Sequence, residues 1–149
     1  MTRAASFVVL LAVAACGPDK DLEGGADGSV DGPVLTSGPA DGDEGHDALV
    51  FGTVALDGDC LLLENEGGRH LVIWPHGTGW QADPPAVVLS GGDIVEIGGS
   101  VTGGGGYSTG VADGFPSGFG DAVDDALSAC EGLAGEVAVF NPGSTVEAR

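Results

Sequence analysis

Beyond residue 47 the chain consists of short apolar and β-branched runs, each ended within a few residues by glycine, aspartate or proline. Runs of this length between turn residues are strands, because they are too short for a helix and too apolar to stay in water. Residues 48–56 read as the first strand. Asp57-Gly58-Asp59 turns it into 60–64, and Glu66-Gly67-Gly68 turns that into 69–74, where Pro75 ends the run by removing a ladder donor. Residues 86–90 and 94–102 add two strands around Gly91-Gly92-Asp93, and 137–140 adds a last one. The expected fold class is mainly β: a small antiparallel barrel or rolled sheet, with an OB-like barrel among the candidates.

One segment has a different period. Val123, Ala126, Leu127 and Cys130 fall at i, i+3, i+4 and i+7, which is one apolar stripe of a helix over 121–131. Asp121 is placed to cap its first turn, Asp124 and Asp125 suit the positive end of the dipole, and Gly132 follows as a stop. Cys130 then lies on the buried face. Cys60 opens a core strand, so a Cys60–Cys130 disulfide would staple helix to sheet. Two buried free thiols are the alternative. A bridge closing so long a loop is worth about 4 kcal/mol in the chain-entropy treatment.

Residues 16–47 are rich in Gly, Pro, Asp and Ser and poor in large apolar side chains. Such a stretch buries too little surface to offset its chain entropy, and it reads as a disordered acidic tether with a span of roughly 30 Å. The domain proper is expected over 48–149.

Ahead of the tether, Arg3, the apolar run 7–15 and the small residues at its end have the three parts of an export signal. Val13-Ala14-Ala15-Cys16 resembles the lipobox of bacterial lipoproteins, with valine where leucine is commonest. The resemblance implies cleavage after residue 15, then diacylglycerol on Cys16 and usually an N-acyl group such as palmitate. It also implies an extracytoplasmic protein of the cell envelope, held to a membrane by its N-terminal lipid. A spanning helix is a poor alternative, since the apolar run falls short of the roughly 20 residues required. An oxidising compartment would also favour the Cys60–Cys130 bridge.

Charge narrows the partners. Four basic residues stand against 23 acidic ones, a formal net charge of −19, and such a surface repels nucleic acid and anionic headgroups. Lys20 is the sole lysine and lies in the tether, so the domain has no P-loop, Schiff-base or general-base lysine. No cofactor is expected. Asp57-Gly58-Asp59 and Asp41-Gly42-Asp43-Glu44 are only fragments of a calcium loop, which needs oxygen ligands on strict spacing.

Three local patterns carry candidate chemistry. Gly106-Tyr107-Ser108-Thr109-Gly110 fits G-x-S-x-G, but chance matches come readily with 29 glycines. His46, His70 and His76 all precede Ser108, against the order of that hydrolase fold. His70 and His76, with Glu64 or Asp83, could form a mixed metal site, although no third histidine or thiolate completes it. If 69–74 is a strand, His70 shares a face with Val72 and Trp74, and half-exposed packing is its expected state. Trp74 and Trp80 bracket a loop of small residues, so Trp80, His76 and Trp74 are the candidate ligand contacts. Core packing of Trp74 and cover of a barrel mouth by Trp80 are the competing readings. For the tetraglycine 103–106 ahead of Tyr107, close backbone approach and mere mobility are both open, with a flexible loop as the default.

Residues 60–79 resemble small β-rich domains of exported bacterial proteins of unknown function, through Cys60-Leu61, the Gly67-Gly68 turn and Leu71-Val72-Ile73-Trp74-Pro75 with Gly77. That likeness implies no activity. The expected role is a noncatalytic binding or structural module of the cell envelope, its partner an envelope protein or a glycan. The alternative is a small hydrolase or cation-dependent enzyme using carboxylates.

Overall fold

The computed structural model describes residues 28–39, 45–108 and 119–149. In chain order these form a hairpin, β1 (Ser29–Asp31) and β2 (Val34–Thr36), then a meander, β3 (Ala48–Asp57), β4 (Cys60–Asn65) and β5 (Gly68–Trp74). A small sheet follows, β6 (Gly79–Ala82), β7 (Pro85–Val88) and β8 (Ile94–Glu96). The chain continues through β9 (Ser100–Ser108), helix α1 (Asp121–Cys130), β10 (Glu136–Phe140) and β11 (Val146–Ala148). The mainly β fold with one short helix is as the sequence leads one to expect. Cys16 and the signal around it lie outside the described residues.

Five strands close a barrel. β3 pairs with β4, β4 with β5, β5 with β10, β10 with β9, and β9 returns to β3. Only the β5–β10 pair in this ring is parallel. Numbered in chain order the ring runs 1-2-3-5-4-1, the Greek-key order of an OB-type barrel. The meander owes its register to its turns. Gly58 takes φ +61, which suits the first central position of a type II′ hairpin and sets Asp57 opposite Cys60. At the next turn the Asn65 side chain accepts the Gly67 N–H at 2.8 Å, holding the corner from within.

Alternation along the strands builds two cores. Val50 and Val54 of β3, Leu61 and Leu63 of β4, and Val72 and Trp74 of β5 point into the barrel with Phe140. Trp74 stacks on Phe140 with ring centroids 5.3 Å apart. Val87, Leu89 and Val95, from the small sheet and its loop, join this interior. The intervening residues Leu62, Leu71 and Ile73 face outward and are buried under Val123, Leu127 and Cys130 of α1.

The expected bridge is present. Cys60 and Cys130 are disulfide-bonded with Cα atoms 5.9 Å apart, joining the start of β4 to the end of α1.

Four expectations are corrected. Residues 28–39, assigned by composition to the tether, belong to the fold. β2 runs parallel to β5, with Leu35 opposite Ile73, and fully buried Val34 enters the barrel core while Leu35 joins the helix-side core. The expected strand over 94–102 is two strands in different sheets, because Gly98 turns the chain with φ +93. The tetraglycine is part of β9 rather than a loop. A Cβ at Gly105 would collide with the Val139 carbonyl, and one at Gly103 would come within 3.0 Å of the Phe140 ring, so bare backbone is what lets β10 and its core residues sit there. Finally, Gly120 rather than Asp121 occupies the helix N-cap, and one 3-10 turn, Glu131–Leu133, carries the chain past Gly132.

Candidate binding site

The sequence-derived ligand contacts do not converge. Trp74 is fully buried on the inward face of β5, so the core reading is the correct one for it. His76 is exposed in the turn closed by the Thr78 N–H to the Pro75 carbonyl at 3.2 Å. Trp80 is half-buried with its indole across the β1–β2 turn, where a Cβ on Gly32 would come within 2.7 Å of the ring. Its backbone N–H donates to the Asp31 carboxylate at 2.9 Å. Trp80 therefore fastens β6 to the N-terminal hairpin.

The hydrolase pattern finds little support. Ser108 ends β9 opposite Val137, Thr109 and Gly110 lie outside the described residues, and no hydrogen bond among the described residues joins Ser108 to a histidine. Among the described residues no cluster of three or more His, Cys, Asp and Glu is placed to hold a metal. No helix there is long and apolar enough to cross a membrane.

His70 is buried rather than half-exposed, with 3% of its surface accessible. Its Nε2 is 3.1 Å from Asn65 Oδ1 and its ring centroid lies 4.9 Å from that of Tyr107. Nδ1 comes within 3.3 Å of Glu136 Oε2, close enough for an ion pair but not aligned as a hydrogen bond. This cluster closes a gap in the barrel wall. β3 pairs with β9 over 48–53 but with β4 only over 53–57, so Phe51 has no strand partner on its second side. Side chains supply one. The Tyr107 hydroxyl accepts the Phe51 N–H at 3.2 Å and can donate to the Phe51 carbonyl at 3.3 Å, and Asn65 Nδ2 donates to the same carbonyl at 3.1 Å.

The ligand face common to OB-type barrels, over strands two and three, corresponds here to β4 and β5 and is covered by α1. The open surface lies on the other side of the ring. Leu49 and Phe51 project outward from β3 and are 57% and 46% exposed. Directly opposed residues share a face, so Phe51 stands beside Thr102 of β9 and Thr53 beside Ser100. Glu64 and Glu66 lie on one side and Arg149 on the other of an open groove of about 450 Å³. Arg69 lies outside it, bridging Glu64 and Asp57 at 3.1 Å each.

The groove also contains an orphan. Thr102 is 5% exposed, and its hydroxyl has no hydrogen-bond partner among the described residues. Buried polar atoms are normally satisfied, and an unmet one costs roughly 1–3 kcal/mol. Sequence reading missed this site because Leu49, Phe51, Val50 and Val54 look alike in a run that is apolar on both faces. Only the helix, placed over the opposite wall, shows which side stays open.

No family model, no curated protein and no solved structure matches this chain.

Proposed function

We propose that the chain is an extracytoplasmic lipoprotein, anchored through Cys16, whose barrel serves the cell envelope as a noncatalytic binding module. The observation that carries this reading is the Cys60–Cys130 disulfide, since such bonds persist in oxidising compartments and are rare in the cytosol. The lipobox-like Val13-Ala14-Ala15-Cys16 supports the same address and adds the means of attachment. Support for binding comes from the open groove beside Phe51 and its unpartnered Thr102 hydroxyl. The acyl chains would hold the protein to the membrane, each buried CH2 contributing about 0.8 kcal/mol.

Fractionation of cells producing the wild type and Cys16→Ala tests the address. The wild type is expected in the membrane fraction and released only by detergent, with the variant soluble or retained as precursor. Equal membrane attachment of both as processed proteins would reject lipid anchoring.

A further inference from the structure

We infer that the groove over β3 and β9 receives an extended, basic segment of a protein partner. The inference deepens the binding reading above and rests on it.

Leu49 and Phe51 are two residues apart on one strand face, so their side chains are spaced about 7 Å along the groove. That is also the spacing of same-face side chains in an extended peptide, so two apolar ligand side chains can meet them in register. An extended ligand also brings free backbone N–H and C=O groups, and a shift of the exposed Phe51 side chain would let one of them meet the Thr102 hydroxyl buried beside it. A lipid tail offers no such group.

Charge selects among polymers. Glu66 lies on the groove wall and makes no ion pair among the described residues, Glu64 beside it is held by Arg69, and Arg149 stands on the facing wall, so the lining is nearly balanced and the sign of the field is set by the surface as a whole. The chain as a whole carries 23 acidic against four basic residues, and a field of that sign accelerates and strengthens association with cations. A neutral glycan gains nothing from it, and a polyanion is repelled. A polypeptide with basic and apolar side chains in alternation satisfies the apolar pair, the orphan hydroxyl and the field together.

The test uses the full chain in detergent and fluorescein-labelled decapeptides, one of alternating lysine and valine and one of alternating glutamate and valine, with a labelled neutral chitin tetramer as the glycan. Binding is read by anisotropy. The lysine–valine peptide is expected to bind, more weakly as salt is raised. Phe51→Ser and Thr102→Val should each weaken it about tenfold, as for central interface residues, and Glu66→Gln about threefold with a shallower salt dependence. Asp83→Asn and Glu131→Gln, outside the groove, should leave it within about twofold. Phe51 is exposed, so Phe51→Ser keeps the test valid if Thr102→Val fails to fold. Undiminished binding to folded Phe51→Ser, no binding of the basic peptide, or equal or better binding of the acidic peptide or the chitin tetramer would each overturn the inference. Lipid anchoring is read separately by fractionation, so groove failure with intact anchoring, and the reverse, are distinct results.

Discussion

Cys60, the first residue of β4, is bonded to Cys130, the last residue of α1, and this one link holds the helix over the outer wall of β4 and β5. Beneath it lie Leu62, Leu71 and Ile73, an apolar patch that would otherwise face water. Cys130→Ser is expected to lower the free energy of unfolding by about 2–5 kcal/mol in non-reducing denaturant titration. Reduced wild type should match it. A variant as stable as the oxidised wild type would show that helix packing alone secures that wall.

The β9 glycines are required by close approach. Gly105→Ala forces a methyl group into the Val139 carbonyl and should cost about 1–3 kcal/mol, the range for overpacking. Gly132 has open space around it, so Gly132→Ala should change stability by less than about 0.5 kcal/mol. Thermal melts of the two variants side by side check this, and equal losses would mean that β9 and β10 can separate without penalty.

The two tryptophans should behave differently. Acrylamide is expected to quench Trp80 more than Trp74, so a Trp80→Phe protein should keep a blue-shifted, shielded emission. Trp74→Ala removes the partner of Phe140 and should cost about 3–5 kcal/mol, as for other buried large aromatics. Ready quenching in Trp80→Phe would place Trp74 at the surface instead.

Tyr107 acts as a surrogate strand for Phe51. Tyr107→Phe keeps the ring beside His70 but loses the hydroxyl that takes the Phe51 N–H, at a cost of about 1 kcal/mol. Hydrogen exchange should accelerate at the Phe51 amide and remain unchanged at Leu62, deep in the β4–β5 pairing. Unaltered exchange at Phe51 would show that the gap in the wall is closed by other means.

The sequence marks what turns and alternation control. β4 and β5 have their apolar period and their stop residues in the same place, α1 has its apolar stripe, and Cys60 and Cys130, on the strand and the helix that pack together, make one natural pair. β1 and β2 escape notice because three-residue strands vanish in a window dominated by Gly, Pro and Asp; Val34 and Leu35 act through contacts with distant β5 and α1. The tetraglycine is decided against its default reading as a loop. Glycine reads as freedom, yet here it is a spatial requirement set by Phe140 and Val139, more than thirty residues on. The groove is the least legible feature, since an orphan hydroxyl at Thr102 is defined only by what surrounds it.

The most direct measurement of the central claim is mass spectrometry of the N-terminal peptide of the mature protein, purified from membranes of its native cells. The expected result is a chain beginning at Cys16 and carrying a thioether-linked diacylglycerol with an N-acyl group. A free Cys16 thiol, or a chain that begins at another residue without lipid, would contradict the assignment of this barrel to a lipid-anchored envelope protein.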